Sequence, residues 1–233
     1  LDYGISLALV CLIFLLVKQL GFPGVKTLYP SNFLSPHSDT WEPHSFYYPA
    51  LAFYGNKIVG IIASLFITDS MIIYHLYNNC ISLLAGLVLY AVTLRITKNL
   101  IISSTSAITL ISSVMWVRNI FYITTDITLA VMCFVTSAYL FFVVSENTRV
   151  KWRHIAILGI LCGLSASSKY NGGIIVVPVI LTLSLTREIT FWRFCKVVMI
   201  LGGFSLMAFL ATNPYIIIKS DLFLEHLPPK AIT

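Results

Sequence analysis

The chain of 233 residues is 58% hydrophobic and only 10% charged, and its net charge at pH 7 is +6. Soluble globular domains carry about 25% charged residues, so this composition excludes a single water-soluble core and predicts a polytopic membrane protein. The positive charge does not indicate nucleic-acid binding, because basic residues of membrane proteins collect in cytoplasmic loops. We therefore expect the lipid bilayer, and no nucleic acid, as a partner.

Seven apolar stretches are predicted to be membrane-spanning helices, since a span needs about 20 mostly apolar residues. They are residues 4–20, 72–94, 99–117, 123–144, 154–169, 171–186 and 197–213. Residues 51–68 form a further apolar stretch that is interrupted by Gly55, Asn56, Lys57 and Gly60. We interpret this stretch as an interfacial helix, with an additional span as the alternative.

The charges of the polar connections orient these spans. Eight of the fifteen Lys and Arg residues fall in three connections that are predicted to face the cytoplasm. These connections are residues 95–99, 146–154 and 186–196. The outer side then contains residues 21–71, 118–126, 169–173 and those after 213.

The predicted fold class is all-α, a polytopic transmembrane helix bundle with an interfacial helix in its first outer loop. Residues 1–213 form the bundle, residues 21–71 are the first outer loop, and residues 214–233 are an outer-side tail. No ionisable residue lies in the middle of a predicted span, whereas ion pumps and many transporters place charges there. The pattern favours chemistry at the outer membrane interface over transport.

The first outer loop contains a compact polar segment, SPHSDTWEPHSFYYPAL, at residues 35–51. Asp39, Glu42 and His44 offer either a general base or ligands for a divalent cation, since hard cations prefer carboxylate oxygens and His widens the choice to zinc or manganese. Glu42 and His44 are the candidate metal ligands. A solvated loop of ordinary polar residues is the alternative.

Two more candidate residues flank the connection between the third and fourth of these predicted spans. Asp126 opens the segment at 123–144 on the outer side, either as a catalytic carboxylate or as an acid that stabilises a helix amino terminus. Arg118 lies at the outer end of the preceding span, where it either binds substrate or anchors the helix at the interface.

The segment GLSASSKYNGG places Lys169 and Tyr170 at an outer turn, where Gly172 and Gly173 let the chain reverse. A lysine at this depth can reach lipid phosphate groups. It can equally hold a phosphate that leaves during a reaction, because a point charge facing a phosphate is a recurring use of Lys.

Several of these segments, in the same order, resemble one family. EPHSFYYPAL is similar to the Pro-His-x-Phe-x-Tyr-Pro segment in the first outer loop of GT-C glycosyltransferases related to protein O-mannosyltransferases and aminoarabinose transferases. HLYNNCISLLAGLVLYAVTLRIT, FYITTDITLAVM, GILCGLSASSKYNGG and FLATNPYIIIKSDLFLEHL resemble later segments of the membrane domain, in its first half.

The resemblance implies an enzyme that transfers a sugar, with inversion, from a polyprenyl-phosphate donor to an acceptor hydroxyl. It implies a site on the outer face of a bacterial or archaeal plasma membrane, or on the lumenal face of the endoplasmic reticulum. A first-loop acid acts as the base, and some members bind a divalent metal. Asp126 matches the second acidic position, Lys169 and Tyr170 match the Lys-Tyr turn, and His44 and Tyr48 match the loop segment.

The first loop also departs from the family pattern. Family members usually carry an acidic pair after a proline early in this loop, whereas Ser31 and Asn32 stand there in this chain. Asp39 or Glu42 then has to supply the base from a shifted position. One alternative is a non-catalytic paralogue, or a fragment truncated in residues 214–233, that binds lipid-linked sugar or a partner. The other alternative is a transporter.

Overall fold

The computed structural model describes residues 49–66, 70–121, 125–146, 150–185 and 190–221. These residues are almost entirely helical and contain no strand, which confirms the predicted all-α fold class. The helices are α1 (Leu51–Ser64), α2 (Ser70–Thr97), α3 (Leu100–Ser112), α4 (Val114–Phe121), α5 (Thr125–Glu146), α6 (Trp152–Ser168), a 3₁₀ helix (Tyr170–Ile175), α7 (Val176–Leu185), α8 (Phe191–Thr212) and α9 (Pro214–Ile218).

Among the described residues, three helical segments are long and apolar enough to cross a membrane, or four if α3 and α4 form one bent span. The three are Leu76–Thr97, Thr125–Ser145 and Phe191–Thr212. Helix α6, with 17 residues, and the apolar helix Tyr170–Leu185 are shorter than the usual span. The chain is an integral membrane protein. The predicted span at 4–20 lies outside the described residues, and the count of seven remains a prediction.

The predicted continuous span at 99–117 is instead two helices that meet at an angle of 56°. The break lies at Ser113, whose backbone is extended (φ −63°, ψ 137°). The Ser112 hydroxyl donates to the Ile108 carbonyl (2.7 Å) and the Ser113 hydroxyl to the Leu110 carbonyl (3.0 Å). Serine hydroxyls that bond to the preceding turn compete with the helical ladder and bend helices, which hydropathy alone does not detect.

Helix α1 runs without a break through the polar residues of the predicted interfacial stretch. Asn56 and Lys57 are buried, with 9% and 5% of their surface exposed, whereas Ile58 and Ile62 on the same helix are exposed. The polar residues therefore point inward and the apolar ones outward, as expected for a helix in contact with lipid. Its 14 residues extend about 21 Å, less than the hydrocarbon thickness.

The chain divides into two compact units. Unit 1 contains the described residues within Gly55–Val131, and unit 2 contains those within Met132–Thr233 together with the described residues up to Tyr54. Helices α1 and α5 therefore contribute residues to both units.

Residues on one face of α2 contact the neighbouring helices of unit 1. Asn78 donates to the Ile120 carbonyl (3.4 Å), and the Ser82 hydroxyl accepts a hydrogen bond from the Trp116 indole. Asn78 and Ser82 are four residues apart and therefore share a helix face. About one turn after Ser82, Gly86 packs closely on Ile111 of α3.

Unit 2 is built on the close packing of α6 against α8. Methyl groups added at Gly159 and Gly163 would overlap with the carbonyl oxygens of Leu201 and Ser205, respectively. The contact partners increase in residue number along both helices, from Gly159 with Leu201 to Gly163 with Ser205, so α6 and α8 run parallel. Helix α7 lies between them in the chain. All four helices α5, α6, α7 and α8 contribute to one buried apolar cluster. Its members are Leu140, Ile155, Leu158, Cys162, Val179, Leu183, Val197 and Leu201.

Candidate functional site

Two of the predicted site residues belong to unit 1. Asp126 lies in the first turn of α5 and is exposed, and Arg118 lies in the last turn of α4 and is also exposed. A carboxylate in the first turn of a helix is stabilised by the free N–H groups and the positive end of the helix dipole. Asp126 is thus an accessible carboxylate at a helix start, the arrangement that the sequence predicted. A helix start explains this acid without any catalytic role, so geometry within unit 1 leaves both interpretations open.

Lys169 and Tyr170 form a sharp turn at the end of α6 in unit 2. Lys169 has an extended backbone (φ −159°, ψ 138°) and is half-buried. Its N–H donates to the Ser165 carbonyl (3.4 Å), and its carbonyl accepts from the Gly172 N–H (2.7 Å). The turn therefore has backbone hydrogen bonds on both sides of Lys169, which fixes the point from which the ammonium group extends.

Tyr170 begins the 3₁₀ helix directly after this lysine. Its ring lies against Phe209 of α8, with the ring centroids 6.3 Å apart. Partial burial raises the pKa of Tyr170 to about 12, so its hydroxyl stays protonated at physiological pH. An ammonium group and a protonated phenol at one helix end are both hydrogen-bond donors, which suits them to an anionic oxygen such as that of a phosphate.

A buried amide, Asn213, joins three segments of unit 2. Its Oδ1 accepts a hydrogen bond from the Ala50 N–H (2.6 Å). Its Nδ2 donates to the Phe209 carbonyl (2.8 Å) and to the Ser167 hydroxyl (3.0 Å). Only 2% of the Asn213 surface is exposed. The amide therefore connects the chain before α1 with the ends of α6 and α8.

The hydroxyl groups around Asn213 complete this network. The Oγ atoms of Ser167 and Thr212 lie 2.6 Å apart, and the Thr212 hydroxyl is also 2.8 Å from the Ala208 carbonyl. Each such bond contributes about 0.5–1.5 kcal/mol, whereas a buried polar group left without its partner costs about 1–3 kcal/mol. The network is thus costly to break at its centre.

The network brings together three segments that the sequence assigns to the same side of the membrane. They are Ala50, in the first outer loop directly before α1, the turn that contains Lys169, and the Thr212–Asn213 segment before Pro214. Unit 2 therefore has one end at which backbone, hydroxyl and amide groups meet beside the Lys169 turn.

The remaining candidate residues lie outside the described residues. They are Asp39, Glu42, His44 and Tyr48, so the base of the first loop and the metal ligands remain predictions. Within the described ranges, no three His, Cys, Asp or Glu residues come together as a metal site would require.

The sequence did not single out Asn213 or Ser167. Both lie in segments that carry the family resemblance, TNPY and SASSKY, but their partners are far away in the chain. Asn213 is 163 positions from Ala50 and 46 positions from Ser167. The only local signal is an Asn before Pro214 at the end of an apolar helix, and this reads equally well as an ordinary helix stop.

Comparison with known proteins identifies the family. The family model described as dolichyl-phosphate-mannose-protein mannosyltransferase matches residues 51–225, about three quarters of the chain. No curated protein and no solved structure gives a significant match. The matched region contains Asp126, Lys169, Tyr170 and Asn213. The chain thus belongs to the dolichyl-phosphate-mannose-protein mannosyltransferase family of membrane glycosyltransferases.

Proposed function

We propose that the protein transfers a sugar from a polyprenyl-phosphate donor to an acceptor hydroxyl, with inversion, at the outer or lumenal face of its membrane. The observation that carries this proposal is the end of unit 2, where Asn213 joins the last residues of the first loop to the Lys169 turn. Family membership supports the reaction class, and the two donors at this turn suit the phosphate.

The depth of the turn suits a lipid-linked donor. The polyprenyl tail has to lie in the hydrocarbon core, so the phosphate rests at the interface. Helices α6 and α8 end at Ser168 and Thr212, respectively, next to Lys169. In a site formed from helix ends, the phosphate-binding cation lies at the boundary between lipid and water. A charged side chain costs much less free energy there than in the hydrocarbon core.

The proposed reaction is a single displacement. The acceptor oxygen forms a bond to the anomeric carbon as the bond from that carbon to the phosphate oxygen breaks, and the configuration inverts. The acceptor proton goes to a carboxylate, for which Asp39, Glu42 and Asp126 are the candidates. The polyprenyl phosphate leaves with the bonding electrons, and Lys169 and Tyr170 stabilise the negative charge that develops on it.

The other candidate residues have binding roles in this proposal. Arg118 is a candidate substrate-binding cation, and His44 and Tyr48 are candidates to bind the donor sugar or the acceptor. Divalent metal at Glu42 and His44 would supply additional positive charge for the phosphate.

The test is turnover of a synthetic polyprenyl-phosphate mannose by the purified protein in lipid nanodiscs, followed by the release of polyprenyl phosphate. We expect Lys169→Ala to lower kcat/KM about 100-fold, the usual effect of removing one group that stabilises the developing charge. Lys169→Arg should restore part of the activity, because it keeps the charge. Lys151→Ala is the matched control, since Lys151 is an exposed lysine at the opposite end of α6.

The carboxylates are tested in the same assay. We expect at least one of Asp39→Ala, Glu42→Ala and Asp126→Ala to lower kcat about 100-fold or more, as removal of a general base does. Unchanged turnover in all three variants would refute the assigned base.

A non-catalytic paralogue is the second candidate, favoured by Ser31 and Asn32 at the family's acidic positions. It predicts that the wild-type protein binds the donor and does not turn it over. Uptake of labelled donor into vesicles would instead indicate a transporter.

A further inference from the structure

We propose that Asn213 is a positioning residue for the transfer reaction: it fixes the point at which the first outer loop joins α1 relative to the Lys169 turn. This inference rests on the function proposed above. Asn213 is almost fully buried, so it cannot touch a substrate and acts only through the segments that it connects.

The hydrogen bonds determine how the amide is oriented. The Ala50 N–H is a donor, so the atom facing it at 2.6 Å has to be the amide oxygen. The Phe209 carbonyl is an acceptor, so the atom facing it at 2.8 Å has to be the amide nitrogen. An aspartate at this position would set an oxygen against the Phe209 carbonyl, and a leucine would leave the Ala50 N–H without its acceptor. The site therefore specifies an amide of this length.

The bond to Ala50 is the link to the loop. Ala50 immediately precedes α1, and its carbonyl accepts the Tyr54 N–H (2.9 Å), the first backbone bond of that helix. Asn213 thus fixes the residue at which α1 starts within the first outer loop. Asp39, Glu42, His44 and Tyr48 all precede this anchor in the chain.

The bonds from the amide nitrogen are the link to the donor site. Ser167 is fully buried, accepts from Asn213, and lies two residues before Lys169. One amide therefore holds the loop anchor on one side and the approach to Lys169 on the other. A change at Asn213 should misplace the loop groups that act on the acceptor while Lys169 and Tyr170 still hold the donor phosphate.

The experiment compares Asn213→Ala with Ser167→Ala in nanodiscs. Ser167→Ala removes one partner of the amide nitrogen and keeps the bond to Ala50, so it is the matched control. Hydrogen exchange of the Ala50 amide, read by mass spectrometry of peptides around it, requires no substrate. We expect exchange to be about tenfold faster in Asn213→Ala and close to wild type in Ser167→Ala.

The kinetic readout distinguishes positioning from general destabilisation. We expect Asn213→Ala to lower kcat about 100-fold, as a misplacement of about 1 Å can, while KM for the donor changes by less than about twofold. A smaller amount of folded protein would lower the apparent kcat and the number of donor-binding sites in proportion and leave KM unchanged, so kcat has to be expressed per titrated donor-binding site. Unchanged exchange at Ala50, or an unchanged kcat, in Asn213→Ala would overturn the proposal.

The two proposals can fail separately. If the wild-type protein turns over no polyprenyl-phosphate sugar, the proposed function fails, and the exchange of the Ala50 amide alone still decides whether Asn213 holds the loop anchor. If the wild type is active and Asn213→Ala has unchanged kcat, the positioning role is wrong and the proposed function stands.

Discussion

Units 1 and 2 bury polar groups in different ways. In unit 1 the polar residues Asn78 and Ser82 lie on the face of α2 that packs against other helices. Only 1% and 0% of their surfaces, respectively, are exposed. In unit 2 an apolar cluster runs from Leu140 to Leu201, and the amide network of Asn213 lies at the end of α6 and α8. Polar groups therefore run through the packing of unit 1 and also form a separate network at one end of unit 2.

This difference follows from what holds helices together in lipid. Because the surrounding lipid is as apolar as a leucine side chain, burial of apolar surface does not drive helix association there. Unit 1 uses hydrogen bonds between helices, such as Trp116 to Ser82. Unit 2 uses close backbone approach at Gly159 and Gly163. The contrast is one of degree, since unit 1 also has the close contact of Gly86 with Ile111 and unit 2 also buries a contact between the Thr136 and Ser165 hydroxyls (3.4 Å).

The largest effect is expected where the helices of unit 2 approach most closely. The Gly163→Ala change would force a methyl group against the Ser205 carbonyl and should destabilise the protein by about 3 kcal/mol or more, the upper end of the cost of overpacking, because the obstructing atom belongs to a helix backbone. Gly203→Ala is the matched control, because a methyl group there meets no atom within 4 Å. It should stabilise α8 by up to about 1 kcal/mol, because alanine is the better helix former. Thermal unfolding in detergent measures both, and effects of the same sign would show that close approach does not hold unit 2.

An intermediate effect is expected for the polar stripe of unit 1. Ser82→Ala removes the acceptor of the Trp116 indole N–H and should cost about 1–3 kcal/mol. Ser103→Ala is the control, because this equally buried hydroxyl bonds only to the Asn99 carbonyl of its own helix, which also accepts the Ser103 N–H. We expect the control to stay within about 0.5 kcal/mol of wild type. Equal losses in the two variants would argue against the interhelical bond as the source of stability.

The smallest effect concerns the starts of helices. Asn99 caps α3 by accepting from the N–H groups of Ile101 and Ile102, whereas Lys151 precedes α6 without a side-chain cap. Asn99→Ala should cost about 1 kcal/mol. Lys151→Asn should stabilise α6 by about 0.5–1 kcal/mol, because it adds a cap and removes a positive charge from the helix amino terminus. Hydrogen exchange of the two helices would report each change, and slower exchange in α3 of the Asn99 variant would contradict the assignment.

The predictions of the helices and of the Lys169 turn were accurate where they depended on residues close together in the chain. The stretch predicted at 123–144 is observed as Thr125–Glu146, because an apolar run ends at polar residues on both sides. Lys169 and Tyr170 lie at the predicted turn: α6 ends at Ser168, the backbone of Lys169 is extended, and Gly172 and Gly173 lie inside the 3₁₀ helix that follows. The break at Ser113 was missed, because mean hydropathy stays high across the residue at which the backbone leaves the helix.

Buried polar residues were predicted less well. The sequence marked Asn56 and Lys57 as an interruption of an apolar stretch, and the structure places both inside, on a continuous helix. Whether a polar residue faces lipid, water or protein depends on its neighbours in space, and hydropathy averages over these neighbours.

By itself, the sequence determined the membrane class, the all-α fold, most helix ends and the turn that holds Lys169, since each depends on residues within about 20 positions of one another. Only the tertiary structure decided that Asn213 meets Ala50 and Ser167. That meeting requires α6 and α8 to pack in parallel in one register, which the close contacts at Gly159 and Gly163 define. A hydrogen bond needs its partners within about 3 Å, and this precision comes only from packing between distant segments.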